Sequence, residues 1–288
     1  MQKLLVLFLL ILEVDAKVNG LDLSYDNNLQ NSKVINSQIV QGSLKLYDSV
    51  LNNTVIKSRN NIDNTEISNN TLVQQSSIKL INGSALDESE IVFNSLIEKS
   101  EIGLNSLVVQ NSIYMNDALI DSSLIEGHSV LNDTQVKNSV VIQSHMGLGS
   151  GVSVENDSSF FLNNTIDNTS VSKSHLYQGA IVMRDAILNN VEINMENILT
   201  SKNGRNMFED SIVIQGKHMF EGSTIENSRL ETKSIISNTT INDATLNLCS
   251  TYMYEAMVSN TNIRKHCSME ESKITNGATV YQAMTRFN

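Results

Sequence analysis

One short beat runs through this chain from about residue 36 almost to its end. A turn-type residue (Asn, Asp or Gly) is followed by Ser, Thr or Ala, then by any residue, then by Ile, Leu or Val. It reads Asn36-Ser37-Gln38-Ile39, Asn53-Thr54-Val55-Ile56, Asn64-Thr65-Glu66-Ile67 and Asn94-Ser95-Leu96-Ile97, and is still legible at Asn227-Ser228-Arg229-Leu230 and Asn238-Thr239-Thr240-Ile241. A unit this short cannot bury its own apolar residue, so the units must stack on one another. Alternating strand side chains would turn the small residue and the apolar residue inward together. The residue before them would sit at a corner, where Asn, Asp and Gly best tolerate left-handed backbone angles.

The steps between small residues are five or six, as at Ser106, Ser112, Ala118, Ser123, Ser129, Thr134 and Ser139. Three steps make about 17 residues, too few for a helical-pair repeat and suited to one turn of a three-sided coil. The expected fold is therefore all-β: a parallel β-solenoid (β-helix), right-handed as parallel crossovers are. At about 17 residues per coil and roughly 4.8 Å of rise, residues 32–284 would make about 15 coils and a rod of about 70 Å.

A longer period is superposed. Two consecutive sides recur at Ser37/Ser43, Thr71/Ser77, Ser106/Ser112, Ser139/Ser144, Ser174/Ala180, Ser211/Lys217 and Ala244/Ser250. These pairs lie about 34 residues apart and read as two such coils. In the second member the register shifts, and a one-residue slip exchanges the two faces of a strand. Lys45, Lys79, Tyr114, Val182 and Tyr252 are thereby expected to point outward on one side, as a partner-binding stripe. Duplication of a two-coil unit would give the same period with no functional demand.

Over about 250 residues the pattern resembles the pentapeptide-repeat proteins, whose inward pair is a small residue followed two places on by Leu or Phe. It is also similar to bactofilin-type solenoids. It departs from the first in using six-residue sides freely and in leaving the position after the small residue open (Gln38, Val55, Glu66, Arg229). The resemblance implies architecture only and assigns no functional residue.

The N-terminus carries Lys3, an apolar run Leu4–Leu12, and small residues at Val14 and Ala16. That is the form of a cleavable secretory signal, and the run is too short to span a bilayer. Residues 1–16 are expected to be the signal, 17–35 a lead-in or cap, and 36–288 a single solenoid domain. The mature chain is expected to be secreted or extracellular (periplasmic or on the cell surface if bacterial). A net charge of −11 disfavours nucleic acid and anionic membrane surfaces as partners. Eight sequons occur, at Asn52, Asn69, Asn82, Asn132, Asn156, Asn163, Asn168 and Asn238.

Cys249 and Cys267 lie roughly one expected coil apart, near enough for a disulfide if their side chains converge. Cys267 occupies a small-residue position and Cys249 falls one place before Ser250. A local staple and two free buried thiols both remain open. His128, His145, His175, His218 and His266 show no metal-binding spacing. The acidic residues do not recur at one-coil spacing beside a basic partner, as a hydrolytic or lyase site along a solenoid face would require. No catalytic, cofactor-binding or metal-binding residue is assigned. The expected function is a secreted, non-enzymatic rod acting in surface attachment, partner binding or extracellular assembly. Its partners would be a protein or glycan surface, or further copies end to end, without nucleic acid and without membrane insertion. The alternative is a carbohydrate-active β-helix enzyme, a lyase or hydrolase with a shallow site along one face.

Overall fold

The computed structural model describes residues 6–14, 17–201 and 206–287. Among them there is no helix; parallel strands stack into three sheets, so the expected three-sided β-solenoid is present. The content of a coil differs from expectation. Asp22–Gln30, Val55–Asp63, Glu90–Glu98, Leu124–Asn132, Ser159–Asp167, Glu192–Thr200, Arg229–Ser237 and Asn262–Glu270 form one eight-stranded sheet. Hydrogen-bonded neighbours in it, such as Val55 and Glu90 or Glu192 and Arg229, stand 35 and 37 positions apart. One turn thus takes the whole 34-residue period, and the solenoid has about eight coils rather than 15. The two halves of each period face each other across the core instead of stacking. The rod is correspondingly about 34 Å long, seven steps of roughly 4.8 Å.

Each coil begins with a straight nine-residue strand and crosses a narrow sheet (Glu66–Ser68, Glu101–Gly103, Gln135–Lys137 and their equivalents). It returns through a broken sheet, as in Leu72–Gln75 followed by Ile78–Asp87. Corners behave as the beat predicts: Asn36, Asn53, Asn64, Asn227 and Asn238 have φ between 47° and 52°. The preference for Ser and Thr after them has a polar cause. Ser89 Oγ donates to Asp87 O at 2.8 Å and accepts the Thr54 N–H at 3.2 Å. Ser123 repeats this one coil on, with Asp121 O at 2.7 Å and the Ser89 N–H at 3.0 Å. Each hydroxyl thus closes its own corner and ties it to the coil beside it, which Ala cannot do. Asn94 is the exception to the beat: it lies outward within Glu90–Glu98, with no corner there.

The core has two lobes. One contains Ile56, Leu80, Leu86, Phe93 and Phe160, the other Ile62, Ile67, Val73, Ile97 and Phe208. Both draw on the same long strands, Ile56 from one end of Val55–Asp63 and Ile62 from the other. The waist between them is polar. Gln41, Gln75, Gln110, Gln143, Gln178 and Gln215, none of them exposed, stack through coil-to-coil amide hydrogen bonds of 2.5–2.9 Å.

The apolar run expected as an export signal overlaps a described strand. Val6–Val14 lies parallel to Gln38–Tyr47, with Leu7 beside Ile39 and Leu12 beside Leu44. Residues 1–5 and the expected cleavage positions Asp15 and Ala16 lie outside the described residues. Residues 17–35, expected as a lead-in or cap, already follow the coil pattern, since Asp22–Gln30 pairs with Val55–Asp63 along its whole length.

Candidate functional site: a groove along the broken sheet

The broken sheet owes its shape to one column of residues. Gly42, Ser76, Asn111, Ser144, Gly179, Gly216, Cys249 and Ala283 all have φ between 49° and 64°. A left-handed residue inside a strand bends the chain, here toward the opposite wall at the waist. The residue before it (Gln75) and the left-handed residue itself (Ser76) both face the core, and the next one faces out. Ser77 shows this directly: its Oγ is hydrogen-bonded by the outward Gln74 side chain and donates to Ser43 Oγ at 3.1 Å. The expectation that Ser43 and Ser77 point inward is corrected accordingly. These outward residues are nonetheless almost covered, Ser43 at 6%, Ser77 at 6% and Ala180 at 4% exposure. They form the floor of a groove running the length of the rod, and Lys217 fits this column because its chain can leave it toward solvent.

The five stripe residues form one wall. Lys45 stacks on Lys79, Lys79 on Tyr114, Tyr114 on Gly147, Gly147 on Val182, Val182 on Met219, and Met219 on Tyr252. The register shift read from the sequence therefore places all of Lys45, Lys79, Tyr114, Val182 and Tyr252 in a single outward column. The other wall, which sequence reasoning missed, is Val40, Gln74, Val109, Ile142, Tyr177, Ile214 and Asn247. Its signal was the residue three places before each second small residue, apolar at Val40, Val109 and Ile214.

Two chemistries concentrate here. Six of the seven tyrosines (Tyr47, Tyr114, Tyr177, Tyr252, Tyr254 and Tyr281) lie on this face, and Tyr25 alone is elsewhere. Tyr114 is 51% exposed. Lys79 Nζ lies 5.8 Å from the Tyr114 ring centre and Lys217 Nζ 5.5 Å from that of Tyr252, within cation–π range. Near Tyr252 the groove widens into a depression of about 380 Å³ that also touches Met219, Glu221, Tyr254 and Arg286. On the floor, burial pushes the His145 imidazole below its ordinary pKa, and the positive charge of Lys217 adds to the effect.

Among the described residues the groove and its rims carry one carboxylate, Glu221, which pairs with Arg184 at 3.1 Å. Glycoside hydrolysis uses two carboxylates, one as acid and one as base or nucleophile. The opposite face of the rod is different: the long strands present ion pairs across coils, Lys57–Glu90 at 3.1 Å and Lys233–Glu196 at 2.6 Å among them. A larger depression at the corner by Asn31, Asn64, Lys99 and Asp133 is lined by turn residues. No group of three or more His, Cys, Asp or Glu converges among the described residues. His128 and His145, expected on adjacent coils, instead lie on opposite faces of the rod: His128 is on a long strand beside Asn163, and His145 is in the groove.

Cys249 and Cys267 are joined by a disulfide with Cα atoms 6.4 Å apart. The bridge does not link neighbouring coils, because 18 residues are about half a turn. It crosses the waist from the left-handed column to the long strand Asn262–Glu270. Elsewhere the same two columns meet as Ser95 with Asn111 at 2.8 Å and Ser144 with Asn164 at 2.6 Å. Beside the disulfide, Lys265 Nζ reaches Ser250 O at 2.8 Å and Cys249 O at 3.3 Å. Burial lowers its pKa to about 7. His218, fully buried, holds Thr232 Oγ1 at 2.8 Å, and burial depresses its pKa strongly.

No family model and no curated protein matches this chain. Among solved structures it aligns with HetL from the cyanobacterium Nostoc, a pentapeptide repeat protein involved in heterocyst differentiation regulation. That alignment covers 90% of each chain at 11% identity, with a TM-score of 0.19. A hyper-glycosylated fragment of TibA aligns over 95% of this chain and 100% of its own at 10% identity, with a TM-score of 0.14. Likenesses at these scores carry no argument about family or function. Among the described residues no helix is long and apolar enough to cross a membrane. The geometry itself establishes an all-β repeat protein, a parallel β-solenoid with a continuous groove along one sheet.

Proposed function

We propose that this protein is an exported, non-catalytic solenoid that binds a partner along the broken-sheet groove, in surface attachment or extracellular assembly. The observation that carries the reading is the concentration of tyrosines and lysines in one lengthwise groove of an otherwise acidic rod. Tyrosine supplies a large, rigid, amphipathic contact at low entropic cost, and it is enriched where proteins bind. Export rests on the sequence of the first 16 residues.

Attachment of the purified chain to the surface of its source cells tests the proposal. Tyr114→Ser with Tyr252→Ser should abolish attachment, while Lys57→Ser on the opposite face should leave it intact. Equal attachment by all three proteins would sink the groove reading. Light scattering of the same samples should give one mass at every concentration. A mass that grows with concentration and ignores the groove variants would point to end-to-end assembly instead. Sequencing the N-terminus of the exported chain should find Lys17 first.

A further inference from the structure

Resting on the groove reading, we infer that the occupant is an unbranched, sparsely acidic polysaccharide lying along the solenoid axis. The groove repeats its chemistry once per coil, every ~4.8 Å. A pyranose unit in an extended chain advances by a similar distance, so successive sugars meet successive coils in like surroundings. The charges have the matching sign. The groove and its rims present Lys45, Lys79, Arg184 and Lys217 against Glu221 alone, on a chain whose net charge is −11. The cations are spaced about one per coil or fewer, which suits a lightly charged polymer. Each aromatic–lysine pair sets an ammonium beside a ring face. That arrangement complements a sugar, which offers an apolar ring face beside its own carboxylate.

An acidic peptide fits less well. Strands run across the groove, and their backbone N–H and C=O groups are spent between coils, with the ladder continuing through the kink (Ser76 N to Gln41 O and Leu44 N to Ser77 O, both 2.8 Å). A peptide laid along the axis would find no strand edge to pair with and would leave its own backbone groups facing Tyr rings and hydroxyls. A glycan brings hydroxyls that Ser77 and its neighbours on the floor can bond.

The experiment is a binding titration of the full chain with three probes of equal length: polygalacturonate, an unbranched neutral glucan and polyglutamate. Polygalacturonate should bind, and more weakly as salt is raised. Lys79→Gln with Lys217→Gln should lose about tenfold or more of that affinity through two charge-assisted contacts, as should Tyr114→Leu, while Lys57→Gln should not. Far-ultraviolet circular dichroism and melting of each variant confirm that the coils are intact. Equal or tighter binding of polyglutamate would overturn the inference in favour of an acidic peptide. Equal binding of the neutral glucan would overturn the role given to charge. If no probe binds although groove variants still lose cell attachment, the ligand inference falls and the groove reading survives. If attachment is also unaffected, both fall.

Discussion

Gln110 Nε2 donates to Gln75 Oε1 at 2.9 Å, and Gln110 Oε1 accepts from Gln143 Nε2 at the same distance. The chain of amides keeps one direction through six coils, and its two ends, Gln41 Nε2 and Gln215 Oε1, are buried without partners. It fixes the register of the coils at the waist, where no apolar packing does so.

Replacing Gln110 with Ala should therefore strand the Gln75 acceptor and the Gln143 donor together. The expected cost is about 2–5 kcal/mol, from two unsatisfied buried groups. Gln110→Glu should behave differently with pH. Protonated, it can donate to Gln75 and accept from Gln143; ionised, it can only accept. Its folded-state pKa should rise above the ordinary ~4.3, so stability should fall as pH rises beyond that value. Urea midpoints between pH 4 and 8 check both; an unchanged midpoint for Gln110→Ala would remove the ladder from the account.

The waist also couples Gly42 to Asn60. A Cβ at position 42 would stand 2.7 Å from Asn60 Nδ2, at a φ of +59°. Asn60 cannot swing aside easily, since Asn27 Nδ2 holds its Oδ1 at 2.7 Å. Gly42→Ala should cost about 1–3 kcal/mol through overpacking. Asn60→Ser should recover much of it, because a Ser at the same long-strand position, Ser95, already faces the larger Asn111. A double-mutant cycle should show clear coupling; strict additivity would refute it.

Reduction of the Cys249–Cys267 bridge should loosen one end of the rod only. Opening a loop of 18 residues removes about 3 kcal/mol in the chain-entropy account. In a solenoid that loss stays local, because each coil contacts only its neighbours. Amide exchange after reduction, or in Cys249→Ser with Cys267→Ser, should accelerate within Asn262–Glu270 and not within Glu90–Glu98. Uniform acceleration would mean that the rod unfolds as one unit.

The same region should be stabilised by alkali. His218 is a base whose folded pKa is depressed, first by burial and then by Lys265. The unfolded chain binds a proton there that the folded chain refuses, so stability is lost as pH falls below ~6.5. Lys265, lowered to about 7 by burial, works in the same direction at higher pH. Between that value and ~10.4 the unfolded chain holds more protons, so stability should keep rising with pH. Melting temperature should climb from pH 5 to pH 9, and His218→Ile should flatten the acid limb. A flat wild-type profile would contradict the burial of both groups.

The five-to-six-residue beat determined the all-β solenoid, the left-handed corners at Asn36, Asn53 and Asn64, and the outward column from Lys45 to Tyr252. These follow from local rules: strand alternation, one-residue slips and the backbone tolerance of Asn. The beat could not say where a coil closes, because every side looks alike, so a 17-residue coil and a 34-residue coil fit it equally. Closure depends on which strands hydrogen-bond, and pairs such as Val55 with Glu90 are contacts between distant residues. That register alone decided that Ser77 lies on a groove floor, that Asn94 sits within a straight strand, and that Cys249 meets Cys267 across a waist. The glutamine ladder shows the same limit. A lone Gln every 34 residues reads as surface until two facing walls enclose it, and only the tertiary structure brings those walls together.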